Sequence, residues 1–269
     1  MSISPDPPLE LLYERADLPR FDLPAALLEK FRGCLGFERP RLFANFVSSL
    51  DGVVALPVEG DSGPIISEHS QTDRFVMGML RACAEAVIVG AETFRKATGH
   101  IWSAEAIYPP AAQHYAEARG RLGLAARPQL VIVTRSGAID VAQPATNGAL
   151  IVTSRAAEPA LRAKLAGRAE VIALDSEAIR MKALVPLLHQ RGLRLLLTEG
   201  GPSLFARIAA ERELDELFLT ASPALFGRMP NDRRKSLADG LDLRGATLEL
   251  LSVRRAGSHL FLRYAAARA

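Results

Sequence analysis

Apolar positions along this chain recur in two periods, one short and one helical. Residues 42–47 form a brief apolar run that reads as a strand, and Ser48-Ser49-Leu50-Asp51-Gly52 follows as a turn. Between residues 68 and 84, Phe75, Val76, Met79, Leu80 and Cys83 recur at helical spacing, and residues 86–89 then make a compact buried strand. Further short apolar strands are expected at residues 130–133, 149–152, 170–173 and 194–198, with helices at residues 158–165 and 178–191. Strands and helices that alternate in this way predict an α/β fold, a largely parallel sheet covered on both faces. Past residue 210 the pattern changes, because residues 214–221, 247–253 and 259–264 are strand candidates without helices of comparable length between them. The sheet is therefore expected to end in antiparallel strands. Residues 1–40 read as an irregular extension with one helix near residues 24–32, and residues 41–269 as the domain proper.

With 269 residues, 49% hydrophobic and 23% charged, the chain is long enough for a full core and too apolar for disorder. The formal charge of +3 is small and the arginines are scattered, which argues against a nucleic-acid partner. Cys34 and Cys83 have neither metal-ligand nor disulfide-framework spacing, which fits a reducing compartment and makes the cytoplasm the expected location. The N-terminus lacks a basic region followed by an apolar run, and no stretch reaches about 18 apolar residues, so neither export nor a membrane partner is expected.

Three segments carry candidate chemistry. Leu195 to Thr198 runs through Glu199, Gly200 and Gly201 into a helix opened by Pro202, Ser203 and Leu204. Glycines without Cβ admit ligand oxygens to the backbone, and a proline-led helix start offers free N–H groups and a favourable dipole to an anion. A nucleotide is the expected ligand; plain punctuation after a strand is the alternative. In Val87-Ile88-Val89-Gly90-Ala91-Glu92-Thr93, Gly90 ends a strand and Thr93 either presents its hydroxyl to a pyrophosphate or simply caps a short helix. At the end of the strand 130–133, Thr134, Arg135 and Ser136 carry two hydroxyls and a guanidinium, a set that suits a phosphate monoester or a solvated turn. If the first two segments hold a pyrophosphate, the third reads the 2′-phosphate that distinguishes NADPH from NADH. Sheets of this kind gather ligands beyond the carboxyl ends of their strands, where all three segments fall. Asp51 is either an ordinary Asp-Gly turn or a carboxylate that orients an amine or relays a proton. His69, His100, His114, His189 and His259 lie far apart without ligand spacing, so no metal is expected.

Taken together, Ser49-Leu50-Asp51-Gly52, residues 87–93, Thr134 to Ser136, Thr198 to Leu204, Leu214 to Leu217 and Ala221 to Gly227 resemble the reductase domain of the bacterial riboflavin biosynthesis protein RibD, over about residues 40–266. The resemblance implies a dihydrofolate reductase-like three-layer αβα fold with a mixed, mostly parallel sheet, a homodimer, and NADPH as cofactor. It implies reduction of the ribosyl group of a small heterocyclic substrate, 5-amino-6-(5-phosphoribosylamino)uracil, to ribityl. No His-x-Glu with a downstream Pro-Cys-x-x-Cys occurs, so the deaminase half of that protein has no counterpart here. On the cofactor side the resemblance implies Val47, Gly90, Thr93, Thr134, Arg135, Ser136, Gly200, Gly201, Pro202, Ser203 and Leu204. On the substrate side it implies Ser49, Ser62, Arg81 and Glu199, with Asp51 and Glu199 as the catalytic carboxylates. Arg81 would pair with a substrate phosphate or satisfy carbonyls at its helix end; Glu199 would accept from a pyrimidine or ribose, or pair with an arginine such as Arg194 or Arg207. The family's acidic stretch after Thr93 is replaced by Arg95-Lys96-Ala97-Thr98-Gly99, and Pro64 stands where an aromatic residue is common. Two alternatives follow from these departures: a paralogous reductase of dihydrofolate or another pteridine-like heterocycle, and a non-catalytic NADPH sensor.

Overall fold

The computed structural model describes residues 7–174, 179–229 and 231–267. In chain order its elements begin with β1 (Glu10–Glu14), α1 (Ala25–Phe31), β2 (Arg41–Ser48), β3 (Val53–Ala55), α2 (Gly63–Ile66), α3 (Gln71–Cys83) and β4 (Ala86–Gly90). They continue with α4 (Ala91–Lys96), α5 (Ala104–Ile107), α6 (Ala112–Arg121), β5 (Gln129–Thr134), β6 (Leu150–Ser154), α7 (Glu158–Leu165) and β7 (Glu170–Leu174). The last third holds α8 (Met181–Gln190), β8 (Leu195–Thr198), α9 (Pro202–Ala210), β9 (Glu216–Ala221), β10 (Lys235–Ser236), β11 (Leu248–Ala256) and β12 (His259–Ala266). Residue 178, where the helix expected over 178–191 starts, lies outside the described residues.

One sheet runs in the order β1-β11-β12-β9-β2-β8-β4-β5-β6-β7. From β9 to β7 its neighbours are parallel, and β12, β11 and β1 add antiparallel strands at one side. The mixed sheet expected from the alternation is present, with one refinement: residues 216–221 belong to the parallel part, beside β2. Successive side chains of a strand point to opposite faces. Val87 and Val89 accordingly join a core with α3 and α6, while Ala86 and Ile88 join one with α8 and α9. These two cores are the outer seams of a three-layer αβα arrangement.

Residues 7–40 depart from an irregular reading. β1 pairs antiparallel with β11 through Glu10↔Arg255 and Leu11↔Arg254. Leu11, Leu12 and Tyr13 are all exposed, so period-two alternation is absent and the strand depends on a partner some 240 residues away. Apolar period also does not predict α5 and α6. The reason in α6 is a buried cation: Arg119, 2% exposed, donates to the carbonyls of Arg81 (2.9 Å) and Ala84 (2.8 Å) and closes the C-terminus of α3.

Candidate active site

A cavity of about 320 Å³ opens at the carboxyl ends of β2, β4 and β8. It brings together Val47, Ser62, Arg81 and Thr93 with the turn from Glu199 to Pro202. That turn forms because β8 stops where Gly200 and Gly201 leave the sheet and Pro202 enters the first turn of α9. The turn leaves no room for side chains of its own. A Cβ on Gly200 would lie 2.5 Å from Leu204 Cδ2, and one on Gly201 would lie 3.1 Å from Thr93 Oγ1. Thr93 and the N-terminus of α9 thus meet across a cradle of bare backbone. Leu204 is core: it is buried against Gly200 and within 3.9 Å of a Cβ built on Gly90.

A buried ion pair on the cavity wall joins residues 118 positions apart. Arg81 Nη2 donates to Glu199 Oε2 at 2.7 Å and Nε to Oε1 at 2.9 Å, with side-chain exposures of 1% and 7%. Arg81 Nη1 donates to the carbonyls of Ile101 (3.3 Å) and Ser103 (3.2 Å), and Nη2 reaches His100 Nε2 at 2.9 Å. Every N–H of this guanidinium is therefore engaged. A guanidinium can only donate, so His100 Nε2 accepts and its ring is neutral with the proton on Nδ1. Burial, assisted by the Arg81 charge, pushes His100 down to about 3. Glu199 is paired with neither Arg194 nor Arg207.

Asp73, Met77 and Arg81 follow one another at four-residue steps and all face the cavity, whereas Phe75, Val76, Met79 and Leu80 of the same helix enter the core. Asp73 is 5% exposed and holds Thr220 in a hydrogen bond; burial, the largest cause, raises its carboxyl to about 6. Arg74, Lys96 and Lys235 add positive charge around the same cavity, Lys235 bonding Glu92 at 2.9 Å.

Asp51 and Ser49 do not line the cavity. Ser49 Oγ donates to Asp51 Oδ1 at 2.5 Å and accepts from the Val53 N–H, while the N–H of Gly227 donates to Asp51 Oδ2 at 2.6 Å. These bonds, led by the one from Ser49, hold the Asp51 carboxyl below its ordinary value and tie the turn to the segment at residues 224–227. Thr134 is buried and, among the described residues, its Oγ1 has no hydrogen-bond partner; Arg135 and Ser136 beyond it are exposed, as is Ser203 in the first turn of α9. The cavity residues that sequence reasoning missed include Asp73, Arg74, His100 and Lys235. Two charged residues eight positions apart, Asp73 and Arg81, opposite the apolar stripe of the same helix were the available signal for Asp73; His100 reaches Arg81 only through tertiary structure.

The model of the RibD C-terminal domain matches residues 40–262. The chain belongs to that family. It is accordingly an oxidoreductase. Over 192 residues it is 24% identical to the 2,5-diamino-6-ribosylamino-4(3H)-pyrimidinone 5′-phosphate reductase of Archaeoglobus fulgidus, covering 70% of this chain and 83% of that one. The reductase of the same name from Aquifex aeolicus is 24% identical over 190 residues, covering 71% and 80%. Among solved structures, a pyrimidine reductase-like protein from Corynebacterium diphtheriae superposes with a TM-score of 0.69 at 23% identity, over 92% of this chain and 96% of that one. At that identity the likeness is one of fold.

Proposed function

We propose that this chain is an NADPH-dependent reductase of the riboflavin type, which converts the ribosylamino group of a phosphorylated pyrimidine to ribitylamino. The observation that carries this reading is the single cavity in which the buried Glu199–Arg81 pair meets the bare turn Gly200–Gly201 and Thr93. The turn fits a dinucleotide: its Cβ-free backbone would receive the pyrophosphate, with Thr93 and the first turn of α9 as donors. Thr134 with Arg135 and Ser136 would hold the 2′-phosphate, the orphaned Thr134 hydroxyl being one waiting donor. Val47 would flank the nicotinamide. When bound, the cofactor supplies hydride.

The chain's own residues position the substrate and exclude water. Glu199, its orientation fixed by Arg81, accepts hydrogen bonds from the pyrimidine or the ribose. Ser62 gives the floor beside it, its Oγ accepting the Leu56 N–H at 3.2 Å. Because all N–H groups of Arg81 are engaged, we place the substrate phosphate on Arg74 and Lys96 at the cavity wall and give Arg81 a positioning role. Asp51 acts as the tie of the loop at residues 224–227. The same saturation of Arg81 favours a second reading, a reductase of an unphosphorylated pteridine-like heterocycle.

The test is NADPH oxidation by the purified chain with 5-amino-6-(5-phosphoribosylamino)uracil, its 2,5-diaminopyrimidinone counterpart and dihydrofolate in parallel, and NADH as control. Turnover of either phosphorylated pyrimidine with NADPH is the expected result. Turnover of dihydrofolate alone establishes the second reading, and cofactor binding without turnover of any of the three refutes both.

A further inference from the structure

His100 follows directly on the segment Arg95 to Gly99, and the second nitrogen of its ring has no task in the reading above. A tight turn delivers it to the cavity. The His100 N–H donates to the Ala97 carbonyl at 3.0 Å, and Gly99 between them takes a φ of +74°, which glycine adopts without strain. Two contacts then fix the ring. Arg81 Nη2 holds Nε2 at 2.9 Å, and the imidazole meets Trp102 in a T-shaped contact with ring centroids 4.8 Å apart. Trp102 is itself stacked on buried Phe94 at 5.5 Å, so the histidine is positioned ahead of any ligand.

Because Arg81 only donates, the single ring proton sits on Nδ1. The two nitrogens of an imidazole point away from each other, so with Nε2 on the deep guanidinium the Nδ1–H faces outward. Among the described residues no acceptor takes that proton, and Nδ1 is not sealed in the core. His100 is half-buried and lines both the cavity and an open cleft beside it, walled by residues 58–61 and 95–99. Glu199 reaches the same guanidinium nitrogen, Oε2 accepting from Arg81 Nη2 at 2.7 Å. The two N–H bonds of one such nitrogen diverge by about 120°, which sets the Glu199 oxygen and His100 Nε2 about 5 Å apart. The two side chains flanking Arg81 thus offer opposite chemistry to one ligand: a carboxylate with spare lone pairs, and an imidazole N–H that only donates.

We propose, resting on the reductase reading of this cavity, that His100 is a specificity-determining residue: its Nδ1–H donates to a ring carbonyl of the substrate while Glu199 accepts from an N–H or amino group of the same heterocycle. The site so selects a lactam, a ring that carries a C=O acceptor together with N–H donors. A ring with an amino group in place of that carbonyl is disfavoured, because two donors then face each other and the His100 N–H is left unpaired. Burial, with the charges of Arg81 and Arg74, keeps the imidazole neutral, and neutrality leaves Nε2 free to accept from Arg81.

The experiment titrates the full chain by calorimetry at pH 8 with two bases that differ in one exocyclic group. One is 2,5,6-triamino-4(3H)-pyrimidinone, which has the carbonyl; the other is 2,4,5,6-tetraaminopyrimidine, which has an amino group in its place. His100→Met removes both ring nitrogens, and His100→Gln restores an acceptor for Arg81 and a donor; thermal melting checks that each variant is folded. The wild type is expected to bind the pyrimidinone about tenfold or more tighter than the tetraamine, the ratio falling to within about twofold in His100→Met and recovering in His100→Gln. Lost support for Arg81 alone weakens both bases alike and leaves the ratio unchanged. Spectra of ¹⁵N-histidine-labelled wild type read the ring without any substitution: the expected state is neutral with the proton on Nδ1, whose resonance moves when the pyrimidinone is added. A folded His100→Met variant with the wild-type ratio, a wild type that binds neither base or both alike, or a proton on Nε2 overturns the inference. Turnover of the phosphoribosylaminopyrimidines with NADPH decides the reductase reading separately. A chain that reduces them while the His100→Met ratio stays at the wild-type value keeps that reading and loses the His100 donor. A chain that reduces no heterocycle yet shows the His100-dependent ratio loses the reading and keeps the donor.

Discussion

Replacing Glu199 by Gln keeps the shape of the side chain and removes its charge, so it isolates what the carboxylate does for Arg81. The guanidinium is 1% exposed, and three of its contacts, at 2.7, 2.9 and 3.1 Å, end on Glu199. With charge centres about 4 Å apart and an effective dielectric of about 20, their attraction is about 4 kcal/mol. The amide retains one acceptor oxygen, which offsets part of the loss. We therefore expect Glu199→Gln to destabilise the fold by about 3 kcal/mol, the lower end for breaking a buried pair. Arg81→Met costs as much or more, because the carbonyls of Ile101 and Ser103 and the ring of His100 lose their donor as well. Combining both substitutions recovers only the electrostatic part. Urea unfolding of the two single variants and the double variant gives the coupling energy, expected at about 2 kcal/mol or more. A Glu199→Gln variant within about 0.5 kcal/mol of wild type, with additive single effects, would refute the argument, since a loss that small is typical of an exposed pair.

The carboxyl of Asp73 should leave a signature in stability against pH. Its folded pKa of about 6 lies above the ordinary aspartate value, so between about pH 4 and 6 the folded state binds more protons than the unfolded and stability falls as pH rises, by roughly 3 kcal/mol in all. Asp73→Asn is expected to be more stable than wild type above pH 6, with the advantage shrinking towards pH 4; urea midpoints at both pH values check this, and an equal or lower stability at pH 8 contradicts it. Gly200→Ala places a methyl 2.5 Å from Leu204 Cδ2 and 3.2 Å from its Cγ, in a buried cluster. Expected are a loss of about 1–3 kcal/mol in thermal unfolding and weaker NADPH binding by fluorescence titration; an unchanged dissociation constant would show that the turn does not hold the cofactor.

The sequence by itself determined the local structure. The helical stripe from Phe75 to Cys83, the β-strand runs and the Gly-Gly-Pro exit from β8 were legible because period, turn chemistry and helix-start preference act over a few residues. It also placed Glu199, Thr93 and the Gly-Gly turn at one sheet edge, since parallel strands carry their exits on the same side. What it left open were the partners. Arg81 faced a choice between a phosphate and helix-end carbonyls, and Glu199 between a substrate and a nearby arginine; that the two meet depends on how α3 lies over β8. Asp51 has the same residues around it under either reading, and the distant N–H groups of Phe226 and Gly227 bring it into the role of a tie. Strand β1 and the proton of Asp73 belong to tertiary structure for the same reason. Pairing with β11 and burial against Thr220, His259 and Glu199 join parts of the chain far apart in sequence, and desolvation is a property of the packed cavity that no local pattern encodes.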